Sequence, residues 1–171
     1  RGVPVDYRRA AAWYMRASRS DEPWATNDLA WFLATCPDSN LQNGDEAVLQ
    51  AKSALKMLAE SGADERHEMV DTMAAALARN GEFAEAILWQ KKAITLLAED
   101  KEVTDEERKS LEAEFKGRLA LYEKQKPYTD EEAQGEEGAK AMPQDTILQE
   151  ENLPQGKPKS TKPKRGRGTV V

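Results

Sequence analysis

Apolar residues recur along the chain at three- and four-residue intervals, the spacing that places side chains on one face of an α-helix. The clearest example is segment 67–80, where Val70, Met73 and Leu77 share one stripe. No stretch of useful length alternates with the two-residue period of a β-strand. The pattern therefore predicts an all-α fold. The other helical segments are 6–18, 24–35, 44–58, 81–97 and 104–122.

An internal repeat is marked by pairs of alanines seven residues apart, a spacing that returns to nearly the same helix face. The pairs are Ala10 and Ala17, Ala47 and Ala54, and Ala86 and Ala93. From Ala10 to Ala47 is 37 residues, and from Ala47 to Ala86 is 39. Small residues at this spacing let a neighbouring helix approach closely. We interpret the pairs as the second helices of three helical hairpins, with 24–35 and 67–80 as first helices.

Residues suited to helix ends lie where this interpretation needs them. Asp6 and Asp45 can act as N-caps, and Asn80-Gly81 suits a left-handed turn. Thr104 and Glu107 have the spacing of a capping box, which predicts a last helix with a single apolar stripe. Such a helix covers the open end of a stack of hairpins, so the prediction is an α-solenoid with a C-terminal capping helix.

Composition divides the 171 residues into a folded part and a tail. All eleven aromatic residues lie at or before Tyr128, and the 43 residues after it cannot bury enough apolar surface to offset their ordering entropy. We therefore predict a folded region over 1–128 and a disordered tail over 129–171. Overall the chain carries a net charge of -6.

Charge is segregated along this tail. Residues 129–151 have a net charge of -7 and residues 152–171 one of +6. The basic end could contact phosphates nonspecifically, but it lacks aromatic residues for base stacking. The alternatives, which we favour, are a solubilising tail or contact with the acidic segment. The basic residues are Lys157, Lys159, Lys162, Lys164, Arg165 and Arg167.

The chemistry of an enzyme, a metal site or a cofactor site is not visible in the sequence. There is one histidine and one cysteine, so neither a disulfide within the chain nor a zinc site is expected. We interpret Cys36 as a buried, inert thiol and His67 as a capping or surface residue. The longest apolar run has six residues, too few to span a membrane. The chain opens on Arg1, which suggests a fragment or processed product, and its compartment is unknown.

Several segments resemble known helical repeats. Gly81, Phe83, Ala86 and Ala93 match the tetratricopeptide consensus, and NDLAWFLATCPD followed by DEAVLQAKSAL resembles a variant unit of that family. The end RLALYEKQKPY is similar to the ends of bacterial modules of this type. The start, GVPVDYRRAAAWYMRAS, resembles the second half of a Sel1-like repeat. The resemblance implies a partial Sel1-like repeat over 1–20 and two tetratricopeptide-like hairpins plus a capping helix over 21–128.

The resemblance also implies where a partner would bind, since first helices line the concave face of tetratricopeptide arrays. The matching groove positions in this chain are Trp24, Asn27, Trp31, Ala34, Thr35, Glu68, Asp71, Ala75, Ala78 and Arg79, of which Trp24, Asn27, Trp31, Glu68, Asp71 and Arg79 are the candidate contacts. Trp and Arg are enriched at interaction hot spots, although both tryptophans could instead pack between helices.

The function expected from the sequence is a non-catalytic scaffold that binds a protein or peptide through the concave face of its repeats. One alternative is association with nucleic acid or an anionic surface through the basic tail. Another is that the chain is the C-terminal regulatory part of a larger protein. The oligomeric state is open.

Overall fold

A computed structural model describes residues 6–130 of the chain, and within this range the fold is all-helical, with no β-strand. Short 3-10 turns at Ser18–Ser20 and Ser39–Leu41 lie in two of the connections. The α-helices are α1 (Tyr7–Ala17), α2 (Pro23–Thr35), α3 (Gly44–Glu60), α4 (His67–Arg79), α5 (Phe83–Glu99) and α6 (Asp105–Glu123).

The helices pack mainly against their neighbours along the chain. The most extensive contacts pair α2 with α3 and α4 with α5, which makes two helical hairpins. Helix α3 also packs on α4, α5 packs on α6, and α2 contacts α4. This arrangement is compatible with a helical repeat in which the hairpins stack in chain order.

The alanine register of the second helices is buried, as the spacing predicted. Ala47, Ala54, Ala86 and Ala93 have no exposed surface, so each sits where a neighbouring helix comes close. Ala10 and Ala17 of α1 are only partly buried. Most of the apolar core forms one cluster that spans α2, α3 and α4, and a smaller cluster joins α4, α5 and α6.

Capping residues define the helix starts. The Asp6 carboxylate accepts hydrogen bonds from the backbone N–H groups of Arg8 and Arg9, and Thr104 with Glu107 forms the expected capping box. The expectation that Asp45 caps α3 is wrong. The cap is Asn43, whose side chain accepts from the backbone N–H of Glu46, which places Asp45 in the first helical turn.

Two glycines are required where the chain turns or approaches itself closely. Gly81 has φ 85°, the left-handed conformation expected between α4 and α5. Gly44 begins α3 directly against the end of α4. A Cβ atom there would lie 2.8 Å from the Cα atom of Asn80, so a side chain at this position would meet backbone rather than open space.

Candidate functional site

Three of the six candidate contact residues lie close together where α2, α4 and α6 meet. Trp31 comes from α2, Asp71 from the middle of α4 and Arg79 from its end. All three contact residues of α6 or of the chain just after it. We call residues 127–130, which follow α6, the strap.

An ion pair between Asp71 and Arg118 joins α4 to α6. The guanidinium of Arg118 donates from Nε to Asp71 Oδ1 at 2.9 Å, and its Nη2 lies 2.9 Å from Asp71 Oδ2. Gln90 of α5 donates to Oδ1 at 2.7 Å. Both Asp71 and Arg118 are buried, with exposed fractions of 4% and 6%.

The charge state of this pair follows from its hydrogen bonds. Burial raises the pKa of the Asp71 carboxyl, and Arg118 and Gln90 act in the opposite direction. Burial alone would lower the pKa of Arg118, but Asp71 raises it above its ordinary value. Both carboxylate oxygens face only donors, so the ionised carboxylate is the form that these contacts fit.

Aromatic rings surround the Arg118 guanidinium. Its central carbon lies 5.3 Å from the ring centroid of Trp31, 5.3 Å from that of Tyr128 and 5.0 Å from that of Phe115. These distances are within cation–π range. The Trp31 and Tyr128 rings are themselves 6.0 Å apart. Arg118 therefore contacts both the buried Asp71 and, through the ring of Tyr128, the strap.

Arg79 holds the strap to the end of α2. Its Nε donates to the carbonyl of Ala34 at 2.6 Å, which satisfies a carbonyl in the last turn of that helix. Its Nη2 donates to the carbonyl of Tyr128 at 2.6 Å and to the hydroxyl of Thr129 at 2.8 Å. Burial lowers the pKa of Arg79 from its ordinary value.

Asp130 ends the strap with three hydrogen bonds to α2. Its carboxylate Oδ2 accepts from the indole Nε1 of Trp31 at 3.1 Å and from the hydroxyl of Thr35 at 2.6 Å. Its backbone N–H donates to the carbonyl of Thr35 at 2.8 Å. Gln125, with φ 55°, provides the turn after α6 that directs the chain towards α2.

Composition alone placed Thr129 and Asp130 in the tail, so sequence reasoning missed their role in this site. Arg118 was also missed, although the sequence contained a signal for it. It lies three residues after Phe115 and four before Tyr122, on the apolar stripe of α6, where a basic residue needs a buried partner.

The other candidate contacts lie away from the strap. Trp24, at the start of α2, is 43% exposed, whereas Asn27 one turn later is buried. Glu68 is partly exposed at the start of α4. Trp13 of α1 is 44% exposed and meets Tyr14 edge-on. A binding role for any of these residues stays a prediction.

A cleft of about 470 Å³ lies away from the strap, between the start of α4 and the start of α6. His67 lies at its base and is 2% exposed, so its interpretation as a surface residue is wrong. The reason is its packing against Phe115, with ring centroids 5.9 Å apart. Its two ring nitrogens are each 3.4 Å from a carboxylate oxygen, one of Glu68 and one of Asp100.

The described part of the chain offers little other chemistry. Over residues 6–130, no group of His, Cys, Asp and Glu side chains could hold a metal ion, and no helix is long and apolar enough to cross a membrane. Cys36 is buried as expected, and burial raises the pKa of its thiol. The basic residues between Lys157 and Arg167 lie outside the described residues.

Comparison with protein-family models, curated proteins and solved structures finds no match to this chain. The resemblance to tetratricopeptide and Sel1-like repeats is therefore an expectation from the sequence, compatible with the packed helices.

Proposed function

We propose that this chain is a non-catalytic helical scaffold that binds a partner peptide or protein through the surface formed by α2 and α4. The observation that carries the proposal is the strap itself. An extended stretch of polypeptide already lies on this surface, held through both its backbone and its side chains. A surface that fits its own chain in this way has the groups needed to fit another.

The residues of this surface are those that peptide recognition uses. Arg79 offers several donors to carbonyl oxygens, and the Trp31 indole combines an apolar face with one N–H donor. Arg and Trp together dominate interaction hot spots because they supply large contact areas with directed hydrogen bonds. In a stack of tetratricopeptide-like hairpins, α2 and α4 would be the first helices that line the concave face, which agrees with this assignment.

Reversal of one charge on the proposed binding surface, compared with reversal of one charge on α5, tests the proposal. Full-length protein would be immobilised as wild type, as Arg79→Glu and as Lys91→Glu, and the proteins retained from a nuclease-treated lysate identified by mass spectrometry. Lys91 is exposed on α5, so its variant is a matched control for the change of charge. Far-UV circular dichroism and thermal unfolding establish that each variant is folded.

We expect at least one protein to be retained by wild type and by Lys91→Glu and lost with folded Arg79→Glu. Equal retention by all three proteins would refute the assignment of this surface. A truncation to residues 1–151 examines the alternative function. Retention that disappears with this truncation or at moderate salt would assign binding to the basic tail.

A further inference from the structure

We propose that the strap competes with the partner for the surface formed by α2 and α4. The partner then presents the same chemistry as the strap: an extended segment with an aromatic residue and, two residues later, a carboxylate. This inference rests on the proposed function, because it names the ligand class of the same surface. It is drawn from the way in which Tyr128, Thr129 and Asp130 are held.

The aromatic position is defined by Tyr128. Its ring lies beside Trp31 and within 5.3 Å of the Arg118 guanidinium carbon, which the buried Asp71 fixes from below. A flat π-system suits this place, because a cation on one side attracts the negative face of a ring. An aliphatic residue would fill the space without that attraction.

The acidic position is defined by Asp130. One carboxylate oxygen accepts from two neutral donors, the Trp31 indole and the Thr35 hydroxyl, while the backbone N–H of the same residue pairs with α2. Hydrogen bonds to an ionised acceptor are stronger than those between neutral groups, so these two donors favour a carboxylate over an amide.

The spacing between the two positions is set by Arg79. It donates to the carbonyl of the aromatic residue and to the side chain of the residue after it. Neighbouring side chains of an extended chain point to opposite sides, so residues one and three can face the same surface. The middle position is the more permissive one, since Thr129 is exposed and contacts the surface through the hydrogen bond that its hydroxyl accepts from Arg79.

Competition follows from the covalent link between strap and surface. A segment tied to α6 through the short turn at Gln125 has an effective concentration in the millimolar range, so an external segment of equal length binds poorly to wild type. If the strap covers the surface about nine-tenths of the time, the apparent affinity of the surface for an external segment falls about tenfold. A partner overcomes this by contacts beyond the strap, for example at the exposed Trp24.

The test follows the indole N–H signal of Trp31 in a ¹H–¹⁵N spectrum of the full-length protein, assigned with Trp31→Phe. Wild type would be compared with the strap variant Tyr128→Ala/Asp130→Ala and with Asp64→Ala, which removes an exposed carboxylate outside the strap. The probe is an end-capped synthetic peptide that copies residues 125–130, QKPYTD. A second peptide has Asn in place of its Asp.

We expect the Trp31 signal to shift in the strap variant and not in Asp64→Ala, and the peptide to return it towards the wild-type position. Half-saturation of wild type should require about ten times more peptide. The Asn peptide should bind the strap variant more weakly than the Asp peptide. Equal binding to wild type and strap variant would refute competition, and equal binding of the two peptides would refute the carboxylate position.

Two other outcomes separate this inference from the proposed function. If a partner is lost with Arg79→Glu but retained no better by the strap variant, the scaffold function stands and the competition does not. If wild type is a dimer in sedimentation velocity and the strap variant is a monomer, the occupant is the strap of a second copy, which overturns competition within one chain.

Discussion

Neutralising Asp71 should be among the most destabilising single changes in the folded region. Asp71→Asn leaves the Arg118 guanidinium without its counter-charge at a site where only 6% of the residue is exposed. The new amide group would also direct its own donors at those of Arg118 or Gln90, because both described hydrogen-bond partners of the carboxylate are donors. Breaking a buried pair in this way costs about 3–5 kcal/mol of unfolding free energy.

Two further variants separate the loss of charge from a general loss of packing. Arg118 has a second acidic neighbour, Glu114, whose oxygen is 3.8 Å from Nη1 and whose side chain is exposed. Glu114→Gln should therefore cost less than about 1 kcal/mol. Combining Asp71→Asn with Arg118→Met removes both charges, and it should recover about 2 kcal/mol relative to the sum of the single changes.

The assay is urea unfolding followed by circular dichroism at 222 nm, with a common slope used for wild type, the single variants Asp71→Asn, Glu114→Gln and Arg118→Met, and the double variant. The reasoning fails if Asp71→Asn costs less than about 1 kcal/mol, or if its cost matches that of Glu114→Gln. It also fails if the single changes are additive, because the pair would then not interact as the contact distances require.

Four smaller changes probe the packing, a helix end and a buried hydroxyl. Gly44→Ala should lower the unfolding free energy by about 1–3 kcal/mol, since the added Cβ meets backbone. Gly117 lies in open space on α6, so Gly117→Ala should raise the unfolding free energy by about 0.5–1 kcal/mol. Urea unfolding measures both changes. Thr104→Ala removes the capping box of α6 and should cost about 1 kcal/mol by the same assay, and no loss would contradict the cap. Burial raises the pKa of Tyr122, whose hydroxyl has no hydrogen-bond partner among residues 6–130. The stability that it contributes is therefore present below pH 10 and is lost as pH rises further. Tyr122→Phe should change the unfolding free energy little at pH 7. Above pH 10 the unfolding free energy of wild type should fall faster than that of Tyr122→Phe, by up to about 1.4 kcal/mol per pH unit. Parallel profiles of the two proteins would disprove this.

Local periodicity was enough to predict the helices because each buried face repeats within one segment. Ala47 and Ala86 show this directly, since their position in the sequence pattern matches their complete burial. The capping box at Thr104 was equally predictable, because both partners lie within four residues. The kind of repeat and its function are not determined by such local signals.

The strap contacts could not be predicted from the same information. Trp31 and Asp130 are 99 residues apart, and Asp71 and Arg118 are 47 apart, so no local pattern relates either pair. Composition assigned Asp130 to an acidic tail because of the residues that follow it in sequence, and it carries no information about the contacts of Asp130 with α2. Asp130 is held in place by two hydrogen-bond donors on α2 and not by the burial of apolar surface. A composition argument, which measures only apolar burial, therefore cannot reveal its position.

The anchoring of Asp130 also decides where the rest of the chain begins. Asp130 lies beside the end of α2, where its backbone N–H donates to the carbonyl of Thr35, and not at the end of α6. If the strap is released, the starting point becomes free to move around Gln125 with a radius of roughly 17 Å, the length of five extended residues. Release of the strap would therefore increase the distance that Asp130, and any segment joined to it, can reach from α6.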